Sequence, residues 1–434
     1  MSDQHSSLKL VRVGLLIDGS GNPPLENAAI LINGSEIAAI GPQKEIPVPD
    51  AASPKLIDLS NKIVMPGMVD CHTHHNGFGD GRAGDDLAKL PDEILTLQSA
   101  KNARTSLFTG VTTIRENGPK NTTMLRLRDA IQQGISIGPR MVLCGRPISI
   151  IGGHMDYFGS AITGPTDGRA MVRQLVKEGA DYIKITATGG TTKTSFPLLP
   201  SFNPDELSAI VDEAHKFGIL TATHCTSTQG IVNSLDAKVD MIIHCIFREA
   251  NGEFVFRQDI ADRLANTGTF VNPTLHVIRT RVWSALELAA ERSLTPSELK
   301  QLDESKYGFE TAIEHTHKLI GSGVNVITGS DSSWGNYKLG NTFYETECLS
   351  MAGMSNSNII KSVTSEAAKS IDIADSVGSI SIGKKADLIS LENNPLDNLS
   401  SLLNISDVIL GGKLLTPTSN ESLDLTRQQR PDKE

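Results

Sequence analysis

The sequence has few cysteines, few aromatic residues and no long apolar run, and each shortage excludes a class of protein. The five cysteines are widely spaced and form no CxxC pair, which argues against a disulfide-stapled scaffold and favours a reducing compartment. No segment approaches the ~18 consecutive apolar residues of a membrane helix. The apolar stretch at 13–17 is too short for the core of a signal peptide, so we expect a cytoplasmic protein.

Basic residues are also in the minority. The 434 residues include 40 Lys+Arg against 50 Asp+Glu, which gives a formal net charge of −10, and the basic residues form no cluster. Nucleic-acid binding needs a clustered basic surface, so we expect a small-molecule partner and neither a nucleic acid nor a membrane. Apolar and charged fractions of 39% and 21% are those of an ordinary globular protein, which excludes disorder and coiled coil.

The two ends of the chain share a pattern that differs from the middle. Short alternating apolar segments broken by Gly, Pro and Asn occupy residues 8–62 and again 378–415, which is typical of β-strands joined by turns. We expect residues 1–62 and 371–416 to form one small β-sandwich built from both termini. The polar residues 417–434 are expected to be a flexible tail.

The middle of the chain, 63–370, alternates β-branched runs with amphipathic helical stretches. One such stretch starts at Asn203-Pro204, a helix-start signal, and stops at Gly218. Eight strands alternating with helices over about 300 residues predict an α/β fold, a (β/α)₈ TIM-like barrel. The eight runs are 63–75, 110–117, 139–145, 180–190, 219–225, 239–245, 268–275 and 324–333.

Metal-binding residue types fall at the ends of these runs. His72 and His74 stand two apart on the first strand, so a pleated strand points both to one face. The carboxyl ends of parallel barrel strands meet at one rim, where such enzymes keep their active sites. One histidine alone is more often a core or surface residue, but six compatible residues at the ends of five strands predict a metal site. The six are His72, His74, Lys184, His224, His244 and Asp331.

With these motifs the sequence resembles the metal-dependent amidohydrolase superfamily. The resemblance runs from PGMVDCHTH through GVTTIRENG, DYIKI, THC, IIHC and TGSDSS to GSISIGKKADLI, and so covers nearly the whole chain. Within the superfamily it is most similar to the branch of imidazolonepropionase-like proteins and Xaa-Pro dipeptidases. Ochratoxin-, molinate- and phenylurea-hydrolysing amidohydrolases belong to the same branch. Relatives are commonly homo-oligomers, which we also expect here.

The resemblance implies a ligand set. His72 and His74 would bind one metal, and His224 and His244 would bind a second. Lys184, carboxylated by CO₂ to a carbamate, would bridge the two. Zinc is the expected metal, with manganese, cobalt or iron as alternatives. Some relatives use a single metal, so the metal count stays open, and we favour two.

The resemblance also implies a mechanism and suggests substrate contacts. Two cations would lower the pKa of a bridging water, and the hydroxide would attack a polarised carbonyl. Asp331 would bind the first metal and serve as the acid–base group. His154, in GGHMD, is the candidate for contacting the oxyanion or a substrate carboxylate. Further candidates for substrate binding are Arg115, Tyr157 and Trp334.

Other histidines and cysteines are not expected to take part. His315 and His317 stand two apart on a predicted helix, where such pairs do not share a face, and His215 lies at a helix end. Cys225 and Cys245 directly follow predicted ligands, so on a strand they would face away from the metal.

The sequence therefore predicts a hydrolase that cleaves an amide-type C–N bond, with the substrate left open. It could be a dipeptide or N-acyl amino acid, held by a cation, or an uncharged urea, carbamate or thiocarbamate in an apolar pocket. An Xaa-Pro or Xaa-Lys/Arg dipeptidase and an imidazolonepropionase-like enzyme are the specific alternatives. Lys184 argues against the imidazolonepropionase-like enzyme and against a deaminase. A non-catalytic scaffold of the same fold is the alternative of another class, and the complete ligand set argues against it.

Overall fold

The computed structural model describes residues 8–47, 53–416 and 430–431, so the expected flexible tail lies almost wholly outside the described residues. The strands are β1 (Leu8–Leu16), β2 (Leu25–Asn33), β3 (Glu36–Pro42), β4 (Lys55–Pro66), β5 (Met68–Thr73), β6 (Val111–Glu116), β7 (Arg140–Leu143), β8 (Ser149–Ile150), β9 (Ala161–Ile162), β10 (Ile183–Ile185), β11 (Thr221–His224), β12 (Met241–Ile243), β13 (Phe270–Asn272), β14 (Leu388–Leu391), β15 (Ile405–Leu410) and β16 (Lys413–Leu415).

Helices separate most of the later strands. They are α1 (Gly84–Leu87), α2 (Asp92–Phe108), α3 (Thr123–Gln132), α4 (Gly164–Glu178), α5 (Pro204–Lys216), α6 (Thr228–Asp236), α7 (Gln258–Thr267), α8 (Leu275–Glu291), α9 (Pro296–Gly321), α10 (Phe343–Met351), α11 (Asn356–Ser362) and α12 (Ser365–Ser370). Helix α5 starts as the sequence predicts, because Pro204 fits the first turn and the Glu206 carboxylate accepts a hydrogen bond from the Asn203 amide at 2.8 Å. No helix in the described ranges is both long and apolar enough to cross a bilayer.

The two ends of the chain meet in one seven-stranded sheet with the order β16-β15-β14-β4-β1-β2-β3. The N-terminal strand β4 pairs antiparallel with the C-terminal strand β14, for example Val64 with Ser390. Alternate residues such as Val11, Val13, Ile30 and Ile32 are fully buried and form a core of their own. This sheet is consistent with the sandwich that the sequence predicts.

The boundary between this sheet and the middle of the chain differs from the predicted one. The run 63–75, predicted as one strand, is split into β4 and β5, and β4 continues to Pro66 in the terminal sheet. Gly67 separates the two strands. A Cβ at this position would lie 2.1 Å from Thr112 Oγ1, so only glycine fits where the chain passes from one sheet to the other.

Seven predicted runs of the middle segment form parallel strands. Strands β5, β6 and β7 make one sheet, and β10, β11, β12 and β13 make another. Single parallel bridges Ile148–Ile185 and Val271–Val326 extend these sheets. The eighth run, 324–333, forms no strand in the described residues and pairs through isolated bridges at Val326 and Ser332. The middle of the chain is thus a mixed α/β structure whose parallel strands carry the predicted ligands at their carboxyl ends.

Candidate metal centre

The six predicted ligands line one cavity of ≈ 1150 Å³. His72 lies in β5 and Lys184 in β10, whereas His224 is the last residue of β11. His244 directly follows β12, and Asp331 follows the bridge at Val326. His74 comes just after β5, where strand alternation gives it the same face as His72. The carboxyl ends of parallel strands therefore bring together side chains that are far apart in the sequence.

Three ligand atoms converge at the end of β5. His72 Nε2 and His74 Nε2 lie 3.1 Å apart, and Asp331 Oδ1 lies 3.2 Å from the first and 3.1 Å from the second. All three side chains are buried. Ligands bound at about 2.1 Å in a tetrahedral zinc site stand roughly 3.3 Å from one another, so this spacing fits one cation.

The hydrogen bonds behind His72 fix its tautomer. The Asn272 side-chain amide donates to the carbonyls of Ile327 and Gly329, which leaves Asn272 Oδ1 as an acceptor. His72 Nδ1, 3.1 Å from that oxygen, must therefore carry the ring proton, and Nε2 presents a lone pair. Two acceptors, His72 Nε2 and Asp331 Oδ1, thus face each other at 3.2 Å. A positive charge between them resolves this repulsion, and a divalent cation fits the donor set.

The other predicted ligands lie beyond this cluster in a row of rings. The ring centroids of His72 and His244 are 5.6 Å apart, those of His244 and His224 are 4.5 Å apart, and those of His224 and His154 are 4.6 Å apart. His244 Nδ1 is held at 2.6 Å from Thr274 Oγ1, and His224 Nε2 lies 3.1 Å from a carbonyl oxygen of the chain. The rings of His244 and His224 are therefore each oriented by a hydrogen bond within the protein.

Burial controls the ionisation of these side chains. It lowers the pKa of His244 to about 4 and that of His154 to about 3, so both rings are neutral. A neutral ring can bind a metal through one nitrogen and donate a hydrogen bond through the other. Burial also lowers the pKa of Lys184 to about 8, which enlarges the fraction of neutral amine. Asp331 differs. Burial raises its pKa, but the hydrogen bond with His74 and the charges of His244, His74 and Lys184 outweigh that effect and keep it ionised.

Backbone strain is concentrated at the same place. His244, Thr274 and Asp331 have φ angles of 65°, 50° and 61°, in the left-handed region that disfavours side chains other than Gly, Asn and Asp. Each such residue costs on the order of 1–3 kcal/mol and persists only where the surroundings enforce it. His244 and Asp331 line the cavity, and Thr274 holds the His244 ring from its other side.

Comparison with known proteins identifies the family. The sequence profile of the amidohydrolase family matches residues 63–415, most of the chain. The chain belongs to the amidohydrolase family. The resemblance seen in the sequence is therefore confirmed.

Among amidohydrolases, ochratoxinase from Aspergillus niger is 26% identical over 449 residues, an alignment that covers 95% of this chain and 88% of the relative. A crystal structure of a Xaa-Pro dipeptidase with bound methionine in the active site superimposes with a TM-score of 0.81 at 29% identity, and covers 95% of this chain and 100% of that one. Molinate hydrolase, with a TM-score of 0.78 at 20% identity and 99% of both chains covered, shares the fold.

Two of the four predicted substrate contacts line the cavity of this amidohydrolase. His154 is buried, with Nδ1 3.0 Å from Thr192 Oγ1, and its ring contacts that of His224. Trp334 lies over His74, with ring centroids 5.2 Å apart. Both therefore flank the ligand cluster, as expected for groups that position a substrate.

The other two do not line the cavity. Arg115 is 2% exposed, and its Nε donates to the carbonyl oxygen of Cys71 at 2.8 Å while its guanidinium lies over the Tyr182 ring. Arg115 therefore holds the backbone of strand β5, and its side chain does not line the cavity where a substrate anion would bind. Tyr157 packs behind Trp334 against Gly84, where its buried hydroxyl has no partner among the described residues. Neither residue lines the cavity, and the predicted contact of each with a substrate stays a prediction without support from this geometry.

Sequence reasoning missed several residues of the cavity wall, among them one histidine and two arginines. His315, set aside as a helix residue without a role, lines the cavity and is buried against the rings of Phe247 and Phe256. Arg248 and Arg281 line it as well. Only tertiary structure reveals these side chains, because they lie on loops and helices and carry no strand-end signal. His215 and His317 lie outside the cavity, as expected, and bond to Asp240 and to a backbone carbonyl.

Proposed function

We propose that the protein is a metal-dependent hydrolase that cleaves an amide-type C–N bond, in an amide, urea, carbamate, thiocarbamate or dipeptide. The observation that carries this proposal is the convergence of His72 Nε2, His74 Nε2 and Asp331 Oδ1 within 3.2 Å of one another. The amidohydrolase membership of the chain supports it.

The proposal includes a closed barrel. The two parallel sheets would be parts of one eight-stranded (β/α)₈ barrel, with the run 324–333 as the eighth strand. The bridges Val271–Val326 and Thr73–Ser332 support this, because they connect that run to β13 on one side and to β5 on the other. The terminal sheet would be the associated β-sandwich.

Two cation positions are proposed. His72, His74 and Asp331 would hold the first cation, and His224 and His244 would hold a second, with zinc as the expected metal. One cation, held by the first three residues, is the alternative, because only these three bring their ligand atoms within 4.8 Å among the described residues.

Lys184 is proposed to be carboxylated. Its side chain is 1% exposed and forms no ion pair with any residue in the described ranges, so its ammonium form is poorly stabilised. The neutral amine would attack the carbon of CO₂, and one proton would leave the nitrogen. The carbamate oxygens would supply a negatively charged ligand for the proposed cations, which the ammonium form of Lys184 could not do.

The reaction follows from the positions of the side chains. Bound divalent cations supply polarisation of the scissile carbonyl and deprotonation of water near neutral pH. Asp331, ionised and facing the cavity, accepts a proton of the attacking water and delivers it to the leaving nitrogen. His154 lies at the end of the row of rings, next to His224, where it can donate a hydrogen bond to the oxyanion or to the substrate. One C–O bond forms, the C–N bond breaks, and the products are an acid and an amine.

Metal content and a substrate panel test the proposal. Protein expressed with zinc or manganese should contain one to two equivalents of transition metal by plasma mass spectrometry. It should then hydrolyse at least one of Met-Pro, N-benzoyl-L-leucine, a phenylurea or a thiocarbamate. Less than about half an equivalent of metal, with no turnover, would favour the non-catalytic scaffold. Hydrolysis of imidazolonepropionate alone would favour the cyclic-amide alternative.

Two further expectations stay predictions. All five cysteines are free and buried, which suits the expected cytoplasmic location. The homo-oligomeric state is expected from the resemblance to relatives.

A further inference from the structure

The wall of the cavity contains a cation without a partner among the described residues. Arg281, on helix α8, is exposed to the solvent inside the cavity. It forms no hydrogen bond, ion pair or ring contact with any residue in the described part of the chain. Unpaired arginines on an open surface are ordinary, but one that lines the same cavity as the proposed metal ligands offers its donors to a ligand bound there.

A neighbouring arginine on the same helix shows the contrast. Arg279 is 1% exposed, and its nitrogens bond to His276 Nδ1 at 2.9 Å, to Glu347 at 2.8 Å and to the Tyr344 carbonyl at 3.3 Å. Two residues later the helix has turned to its opposite face, where Val277 and Arg281, one turn apart, line the cavity. The buried face of α8 thus uses its arginine for structure, and the cavity face leaves one available.

A second arginine reinforces the charge of this region. Arg248 also lines the cavity; its Nε donates to the Gly252 carbonyl at 3.1 Å, and its guanidinium lies over the Phe254 ring. His315 lines the same cavity. Glu253 and Glu304 lie on the cavity wall as well, but neither pairs with Arg281, since no ion pair with it occurs in the described residues. A ligand in this cavity meets at least one free guanidinium.

Arg281 and the ligand cluster line the same cavity, so one bound molecule can meet both. In an N-acyl amino acid or dipeptide, the free carboxylate lies about 4 Å from the scissile carbonyl carbon, roughly the span of one residue.

We propose that Arg281, assisted by Arg248, binds the carboxylate of an amide-linked amino acid and so selects N-acyl amino acids or dipeptides over uncharged ureas and carbamates. This inference rests on the proposed hydrolase function and names the substrate class of the same site. A guanidinium can bind both carboxylate oxygens at once, which fixes the orientation of the amino acid relative to the scissile bond.

Matched substrates with and without the charge test the inference. The pairs are Met-Pro with Met-Pro amide, and N-benzoyl-L-leucine with N-benzoyl-L-leucinamide, assayed as release of methionine or benzoate by the metal-replete protein. A hydrogen-bonded charge is worth about 1.5–3 kcal/mol, so kcat/KM should favour each free carboxylate by about 10–100-fold. Arg281→Gln should abolish this preference, chiefly through KM, and leave the amides within about threefold. Arg281→Lys should retain part of it.

The control is Arg263→Gln, on α7, whose guanidinium pairs with Asp236 outside the cavity. It should leave all four rates unchanged. Metal content and thermal unfolding of Arg281→Gln should match the unmutated protein, which separates a lost contact from a misfolded chain. An equal loss on all four substrates, or a wild-type protein that prefers the amides or a phenylurea, would overturn the proposal.

A binding measurement separates this inference from the hydrolase proposal. Calorimetry with N-benzoyl-L-leucine should show binding to Asp331→Asn and about 10–100-fold weaker binding when Arg281→Gln is added. If no substrate is turned over but this difference holds, the hydrolase proposal fails and the carboxylate site stands. If substrates are hydrolysed but the two variants bind equally, the carboxylate site alone is wrong.

Discussion

His74 and His75 are consecutive residues in two clusters of opposite character. His75 is fully buried, with Nδ1 3.0 Å from Glu116 Oε2 and Nε2 3.4 Å from Ser106 Oγ, so both ring nitrogens meet complementary groups. His74 Nε2 instead lies 3.1 Å from both His72 Nε2 and Asp331 Oδ1, and its buried Nδ1 has no hydrogen-bond partner among the described residues. Within the first cluster both histidine nitrogens have partners and only Glu116 Oε1 is left without one among the described residues, whereas the second cluster has the spacing of a cation site.

Access to solvent separates the two clusters as clearly as hydrogen bonding does. Ser106, His75 and Glu116 have the order of a nucleophile, a base and an orienting carboxylate, but all three are at most 2% exposed and none lines the cavity. His72, His74 and Asp331 do line it. The sequence of groups in the Ser106–His75–Glu116 cluster would suggest a catalytic triad, but a substrate in the cavity cannot reach it. Access to the cavity therefore favours His72, His74 and Asp331 as the functional cluster.

The largest effect should come from Asp331→Asn, which keeps the shape of the side chain and removes its charge. We expect kcat/KM to fall by at least about 100-fold, since both acid–base chemistry and metal binding lose the carboxylate. Asp372→Asn is the matched control, because Asp372 is exposed and also has a positive φ, of 58°. Steady-state kinetics with the best substrate of the panel measures both. Undiminished turnover in Asp331→Asn would remove the proposed role of this residue.

A pair of histidine substitutions should separate the clusters. His72→Gln should lower the bound metal, measured by mass spectrometry, by at least half an equivalent, because one of three converging ligands is lost. His75→Gln should leave the metal content unchanged and lower the free energy of unfolding by about 1–3 kcal/mol, because buried hydrogen-bonding groups lose their partner. Chemical denaturation of the metal-free proteins measures the second effect. Metal loss in His75→Gln of the same size would mean that the two clusters act as one.

The smallest effect is expected for Ser106→Ala. The contact from Ser106 Oγ to His75 Nε2 is long, at 3.4 Å, so its loss should cost only about 0.5–1 kcal/mol in the free energy of unfolding. Turnover should stay within twofold of that of the unmutated protein. A tenfold loss of turnover with normal metal content would instead give Ser106 a part in the chemistry.

The ligand cluster could be predicted from the sequence because strand geometry is local. Alternation places His72 and His74 on one face, and β-branched runs mark where strands end, so His224 and His244 follow from the same pattern. The parallel arrangement then gathers the strand ends at one rim. The same pattern includes Lys184 and Asp331, but their roles came from the family resemblance, because spacing alone does not give them.

The rest could not be predicted because it depends on tertiary packing. Arg115 stands on strand β6 at the end expected to face the site, but its long side chain turns beneath β5. Arg281 and His315 reach the cavity only because α8 and α9 fold over it. The division at Gly67 depends on contact with Thr112, 45 residues later in the chain, which no local pattern reveals.

The terminal sheet has a consequence for how the protein is made. Strand β4 emerges from the ribosome early, but its partner β14 is among the last strands to be synthesised. During most of translation, β4 therefore presents an unpaired backbone edge, the kind of surface on which nascent chains aggregate. A chain that stops before residue 388 would keep that edge permanently open, so the final strands protect the newborn protein as well as complete its architecture.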